Sequence, residues 1–87
     1  MSGEWVRDPA VMFTEIERNA VLLDPRTRRM FDLNRTGTVV WEVIDEGIEA
    51  AISRVVSIFE IGESQARDDV EALLRQLVEA GLVTRRP

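Results

Sequence analysis

The stretch Val21–Trp41, VLLDPRTRRMFDLNRTGTVVW, decides the fold. It reads as strand, tight turn, strand and helix start. Val21, Leu22 and Leu23 suit an apolar strand. Asp24-Pro25-Arg26-Thr27 reads as a turn with a mechanism: Pro25 presets φ, and the Asp24 side chain can accept from the backbone beyond it. Arg29 to Leu33 is a second short strand. At Asn34 the period changes. Asn34 or Thr36 can cap a helix that holds Val39, Val40, Val43 and Ile44, with Gly47 as its left-handed stop.

Toward the amino terminus, Ala10 to Ile16 (AVMFTEI) mixes β-branched and aromatic residues and suits an earlier strand. Glu17-Arg18-Asn19 is its turn, with Asn19 able to take a left-handed conformation. Ala20–Asp24 and Arg29–Leu33 are then the second and third strands of an antiparallel meander. Residues 1–9 read as a loosely ordered lead-in, and Pro9 disfavours helix at Asp8.

Toward the carboxyl terminus, a second helix runs from Ile48 to Phe59, with Ile48, Ile52, Val55, Val56 and Phe59 on one stripe. Ile61-Gly62 breaks it. A third helix from Glu63 to Ala80 carries Ala66, Val70, Leu73 and Leu77 at helical spacing. Gly81 ends it, and Leu82-Val83 is expected to tuck back onto the core. The order βββααα defines an α+β fold, close to a winged helix-turn-helix, in a single domain over residues 10–84.

Eighty-seven residues make one small core. With 45% apolar residues but only 6% aromatics, that core rests on Val, Leu and Ile. Cysteine and histidine are absent, which removes disulfides, thiolate metal sites and the usual neutral-pH acid/base. Asp68-Asp69 and Asp45-Glu46 read as solvated helix ends, since paired carboxylates without a partner base are weak catalytic signals. No enzyme activity, metal or cofactor is expected.

All 11 cations are arginine, against 16 acids, for a formal charge of -5. That balance argues against a nucleic-acid partner. A winged-helix DNA binder is the rival of another class. Its recognition helix, residues 63–80, would hold Glu63, Asp68, Asp69, Glu71 and Glu79 against Arg67 and Arg75, so phosphate would be repelled. The start MSGEWVRDP lacks a secretory pattern, and no run approaches membrane-spanning length. A soluble, cytoplasmic chain with no membrane partner is expected.

The segment VLLDPRTRRMFDLNRTGTVVWEVIDEG resembles the signature of PqqD-like proteins, the RiPP recognition elements. Their hydrophobic strand, turn, aromatic-bearing strand ending Leu-Asn, Gly and helical Trp correspond here to Leu22, Leu23, Phe31, Leu33, Asn34, Gly37, Trp41 and Gly47. ARDDVEALLRQLVEAGLV is similar to the family's last helix, here Asp69, Val70, Leu73, Leu77, Gly81 and Leu82. The resemblance covers residues 10–84. It implies a non-catalytic protein that binds the leader peptide of a ribosomally made precursor and presents it to processing enzymes.

With its DxRTxR turn, the chain looks most like the free-standing version of lasso peptide clusters. That implies a cysteine-protease-type leader peptidase as partner and a separate ATP-dependent cyclase downstream. A PqqD-type chaperone presenting a precursor to a radical SAM or other modifying enzyme is the alternative within the class. The family often has glycine in place of Arg28, a departure that bears on turn geometry and not on the fold.

The resemblance further implies a leader lying antiparallel along the third strand, packed between that strand and the third helix. Alternation along the strand points Phe31 and Leu33 toward the helices and Met30 and Asp32 away. Arg28 and Arg29 stand where acidic leader residues could pair with them. On the third helix, Leu74 and Val78 lie about 70–110° off the core stripe, bordered by Arg67 and Glu71. They are expected to line the groove, with Val70 shared between groove and core. The plainer reading has Leu74 and Val78 packing under the first helix or the amino-terminal segment, and the arginines as a solvated turn face.

Overall fold

Two turns set the sheet. A computed structural model describes residues 4–86. In it the strands β2 (Met12–Ile16), β3 (Asn19–Asp24) and β4 (Arg29–Leu33) pair antiparallel in that order. Ile16 faces Asn19 across the two-residue turn Glu17-Arg18, and Asp24 faces Arg29 across the second turn. Glu17, at φ 62°, takes the left-handed conformation that Asn19 was able to supply, and Asn19 opens β3. A positive φ at the first central residue is what a two-residue hairpin needs for its twist to match the strands.

The second turn forms as the sequence implies and is tied further. The Asp24 carboxylate accepts from the Arg26 amide at 3.0 Å and from Arg26 Nε at 3.1 Å. Arg26 Nη2 also donates to Asp8 at 2.6 Å. Arg28 adopts φ 62°, so it takes the glycine-like conformation itself, and its amide donates to the Asp24 carbonyl at 2.7 Å.

The first helix, α1 (Arg35–Val43), is capped by Asn34, whose Oδ1 accepts from the Gly37 amide at 2.8 Å. Thr36 is not the cap. Buried Thr38 is satisfied by donating its hydroxyl to the Asn34 carbonyl at 2.9 Å. A Cβ on Gly37 would sit 3.1 Å from a Leu33 methyl, so glycine here lets β4 run closely into the helix. The helix tightens into a 3-10 turn at Ile44–Glu46 before Gly47, at φ 110°, redirects the chain. Helix α2 (Ile48–Phe59) ends with Glu60 in the left-handed region, and α3 (Glu63–Glu79) stops before Gly81 at φ 75°.

One expectation is overturned. The amino-terminal segment is not loose where it is described: β1 (Trp5–Arg7) pairs antiparallel with β5 (Val83–Arg85). The pairing satisfies backbone groups at both ends, with the Asp8 amide on the Leu82 carbonyl at 3.0 Å and the Arg86 amide on the Glu4 carbonyl at 2.7 Å. Side chains add to it. Arg85 pairs with Glu4 and stacks over Trp5, while Arg7 stacks over Trp41 and donates to its carbonyl. The remainder of the lead-in, residues 1–3, lies outside the described residues.

Leu82 and Val83 do tuck in, and both are buried. They join a core of Leu22, Val40, Ile44, Ile52, Val55, Val70 and Leu77 between the sheet and the three helices. Trp41 is core, at 4% exposure. No described helix is long and apolar enough to cross a membrane.

Candidate peptide-binding site

β4 is an open edge, since among the described residues only β3 pairs with it. Which groups it offers follows from register. The two-residue turn makes Ile16 and Asn19 a hydrogen-bonded pair, so Asn19, Val21 and Leu23 turn their backbone groups toward β2. Ala20, Leu22 and Asp24 then turn theirs toward Leu33, Phe31 and Arg29. That leaves the N–H and C=O groups of Met30 and Asp32 facing outward, four groups on a free edge.

Side chains alternate as expected. Met30 is 66% exposed and Asp32 is exposed on the outer face, whereas Leu33 is buried and Phe31 half-buried against the core. Arg28 and Arg29 are exposed at the amino-terminal end of the strand.

Where β4 runs into α1, an open cleft of about 340 Å³ separates that corner from α3. Asn34, Thr36 and Gly37 form one wall and Asp69, Leu73 and Gln76 the other. A second concavity of about 460 Å³ continues from Asn34 past Asp32 to Val21 and Ile16. The two concavities share Asn34, at the end of the open edge.

None of the α3 residues expected to line the groove borders this cleft. Val70 is fully buried and shares nothing with the cleft. Leu74 is buried at 5% exposure, and with Glu71 and Val78 it lines a separate, mostly apolar cavity of about 390 Å³ against Trp5 and Ile48. Arg67 is held by Glu49 of α2 through two bonds, at 2.8 and 3.0 Å, and the guanidinium keeps the Glu49 carboxyl below its ordinary range.

The reason is rotational. At 100° per residue, Leu73 and Leu74 fall on opposite flanks of the buried Val70–Leu77 seam. α3 packs so that the Leu73 flank, with Asp69, Ala72 and Gln76, faces the β4–α1 corner, and the Leu74 flank faces β1 and α2. Leu74 and Val78 line the cavity beside Trp5 of the amino-terminal segment, on the flank of α3 away from the cleft. Asp69 was visible only as part of the family resemblance, and Ala72 and Gln76 carried no signal in the sequence, because small and polar residues on a helix flank read as solvated surface.

A family model decides the chain's kinship: the one for coenzyme PQQ synthesis protein D (PqqD) matches residues 19–83, well over half of the chain. The chain belongs to the PqqD family. Two solved structures share the fold of this PqqD-family chain along nearly its whole length. One is TbiB1 in complex with the TbiA(beta) leader peptide, 20% identical with a TM-score of 0.83, covering 93% of this chain and 96% of that one. The other is lasso peptide synthetase B1 complexed with the leader peptide, 25% identical with a TM-score of 0.78, covering 93% and 98%. No curated protein matches the chain significantly. The matched segment runs from β3 to the start of β5, with β1 and β2 preceding it.

Proposed function

We propose that this chain binds the leader peptide of a ribosomally synthesised precursor of the lasso peptide class and delivers it to a partner leader peptidase. On this reading the chain is a binding protein that does no chemistry of its own and works in the cytoplasm, where the precursor is made. The observation that carries the proposal is the open β4 edge beside an open cleft, in a chain whose fold is that of two proteins solved with leader peptides.

The energetics require both parts of the site. Four main-chain bonds, one for each outward group of β4, at a net ~1 kcal/mol each give roughly 4 kcal/mol. Ordering a disordered peptide costs about 2–5 kcal/mol. Micromolar binding needs about 8 kcal/mol, so apolar anchors must supply the difference. The cleft beside Leu73 and Gly37 is where they would seat. Arg28 and Arg29 would favour acidic leader residues at one end of the strand, and Asp32 and Asp69 basic ones near the other.

Fluorescence polarisation with leader peptides from neighbouring precursor genes tests the reading. Met30→Pro deletes an outward amide without touching the β3–β4 ladder and is expected to weaken binding at least about tenfold, since lost pairing also displaces neighbouring contacts. Unchanged affinity would rule out β4 as the docking edge.

The family match favours a second reading, presentation of a precursor to a radical SAM enzyme as a PqqD-type chaperone. A reconstituted cleavage assay separates the two. If the chain accelerates leader removal by a cysteine-protease-type peptidase, the first holds; if it stimulates only a modifying enzyme, the second does.

A further inference from the structure

The sheet has a second open edge with a different character. Every residue of β2 is exposed, including Met12 at 56%, Phe13 at 37% and Ile16 at 58%. Among the described residues no strand pairs with its outer side. Exposed edges are commonly blunted by lysine, proline or a bulge. β2 has none of these, and Glu15 is its one charge.

We propose that β2 pairs with β2 of a second copy of this chain, antiparallel about Thr14. Because Met12, Thr14 and Ile16 turn their backbone groups toward β3, Phe13 and Glu15 turn theirs outward. Centred on Thr14, Phe13 lies opposite Glu15 of the second copy, and Glu15 opposite its Phe13. All four outward groups on each chain are then paired.

On the outer face Thr14 meets Thr14, and Met12 meets Ile16, at non-hydrogen-bonded positions where opposing side chains come closest. No like charges are opposed from Val11 to Glu17. Other centres fit less well: centring on Glu15 opposes two carboxylates, and centring on Phe13 leaves both Ile16 side chains without a partner. This two-fold match commits the edge to a second copy, because an unrelated peptide would meet the same backbone groups without the matched side-chain row.

A strand pair this short buries well under the roughly 1,200 Å² of a stable complex, so the association is weak and appears only at high concentration. Both β4 edges remain free at the outer ends of the joined sheet. Self-association and peptide docking on β4 therefore do not compete, and the proposal stands independently of the leader reading.

Sedimentation velocity on the full chain, from about 10 µM to about 1 mM, reads the association directly. The mass is expected to rise from 9.9 kDa toward the dimer. Thr14→Arg sets two cations against each other at the two-fold. Glu15→Pro removes an outward amide while sparing the β2–β3 ladder. Each should weaken association at least about tenfold with the circular-dichroism spectrum unchanged, and Met30→Pro should leave it intact. In the wild type, concentration-dependent amide shifts should centre on Phe13 and Glu15, a readout that needs no variant. A mass that stays at 9.9 kDa throughout, shifts confined to other residues, or association abolished by Met30→Pro would overturn the proposal.

Discussion

At the residue scale, two neighbours on α3 separate core from site. Leu74 is buried, so Leu74→Arg puts a charge into the core, and removal of a buried charge's solvation makes a loss of several kcal/mol, effectively unfolding, the expected result. Leu73 is half-buried on the cleft wall. Leu73→Arg is expected to keep the fold, within about 1–2 kcal/mol, while abolishing peptide binding. Thermal melts and polarisation titrations on the pair check this; a stable Leu74→Arg would mean that flank is surface.

Asn34 makes a second case. Its side chain caps α1 and its carbonyl holds the buried Thr38 hydroxyl. Asn34→Ala removes only the cap, and about 1 kcal/mol of stability should go with it. Arg28 points the other way. Holding a non-glycine residue at φ 62° stores strain of about 1–2 kcal/mol. After glycine's own entropic penalty, Arg28→Gly should raise stability by roughly 0.5 kcal/mol in a denaturant titration.

At the scale of elements, the strands and helices that form from local pattern were legible. The Asp24-Pro25 turn, the Asn34 cap and the breaks at Gly47 and Gly81 all carry their mechanism in one or two residues. β1 was not legible. Trp5-Val6-Arg7 is too short to show alternation, and its partner lies at the far end of the chain. The flank of α3 was equally hidden. Leu73 and Leu74 are both leucine, and only the rotation of the packed helix decides which one meets the cleft. Open edges, by contrast, follow from strand order, and the β4 edge was readable once the meander was.

The clasp between elements has a pH signature. Arg26 joins the β3–β4 turn to the segment after β1 through Asp24 and Asp8. The Asp24 carboxyl is held below its ordinary 3.8 by Arg26's side chain and amide, and Asp8 is lowered by the Ala10 amide and then by Arg26. Groups with lowered folded-state pKa values contribute stability above their unfolded value and lose it as pH falls through the folded one. Arg26→Gln should therefore melt lower than wild type at pH 7. The gap should narrow once the pH drops below 3.8; a gap that persists at pH 2 would assign Arg26 a packing role instead.

At the scale of the whole molecule, the chain is a slab, 37 by 34 by 16 Å, thin enough that few side chains are far from solvent. A domain of this size holds only a modest reserve of stability, which is why one misplaced charge on α3 is expected to unfold it. Its open edges and cleft are correspondingly peripheral. The two sheet edges lie on opposite sides of β3, and the cleft sits where the sheet meets the bundle.

The β1–β5 pair also sets the order in which the molecule opens. The Glu4–Arg85 contact closes a loop of 81 residues, and loop entropy makes such a contact late to assemble. It rests on three residue pairs, and of the residues in the two strands only Val83 is buried. Fraying there exposes the Trp5 side of α3 before the rest of the core gives way. Amide exchange at Asp8 and Arg86 should accordingly run through a local opening, faster and less denaturant-sensitive than at Val55 and Val70, so that the first event in unfolding is the parting of the two chain ends.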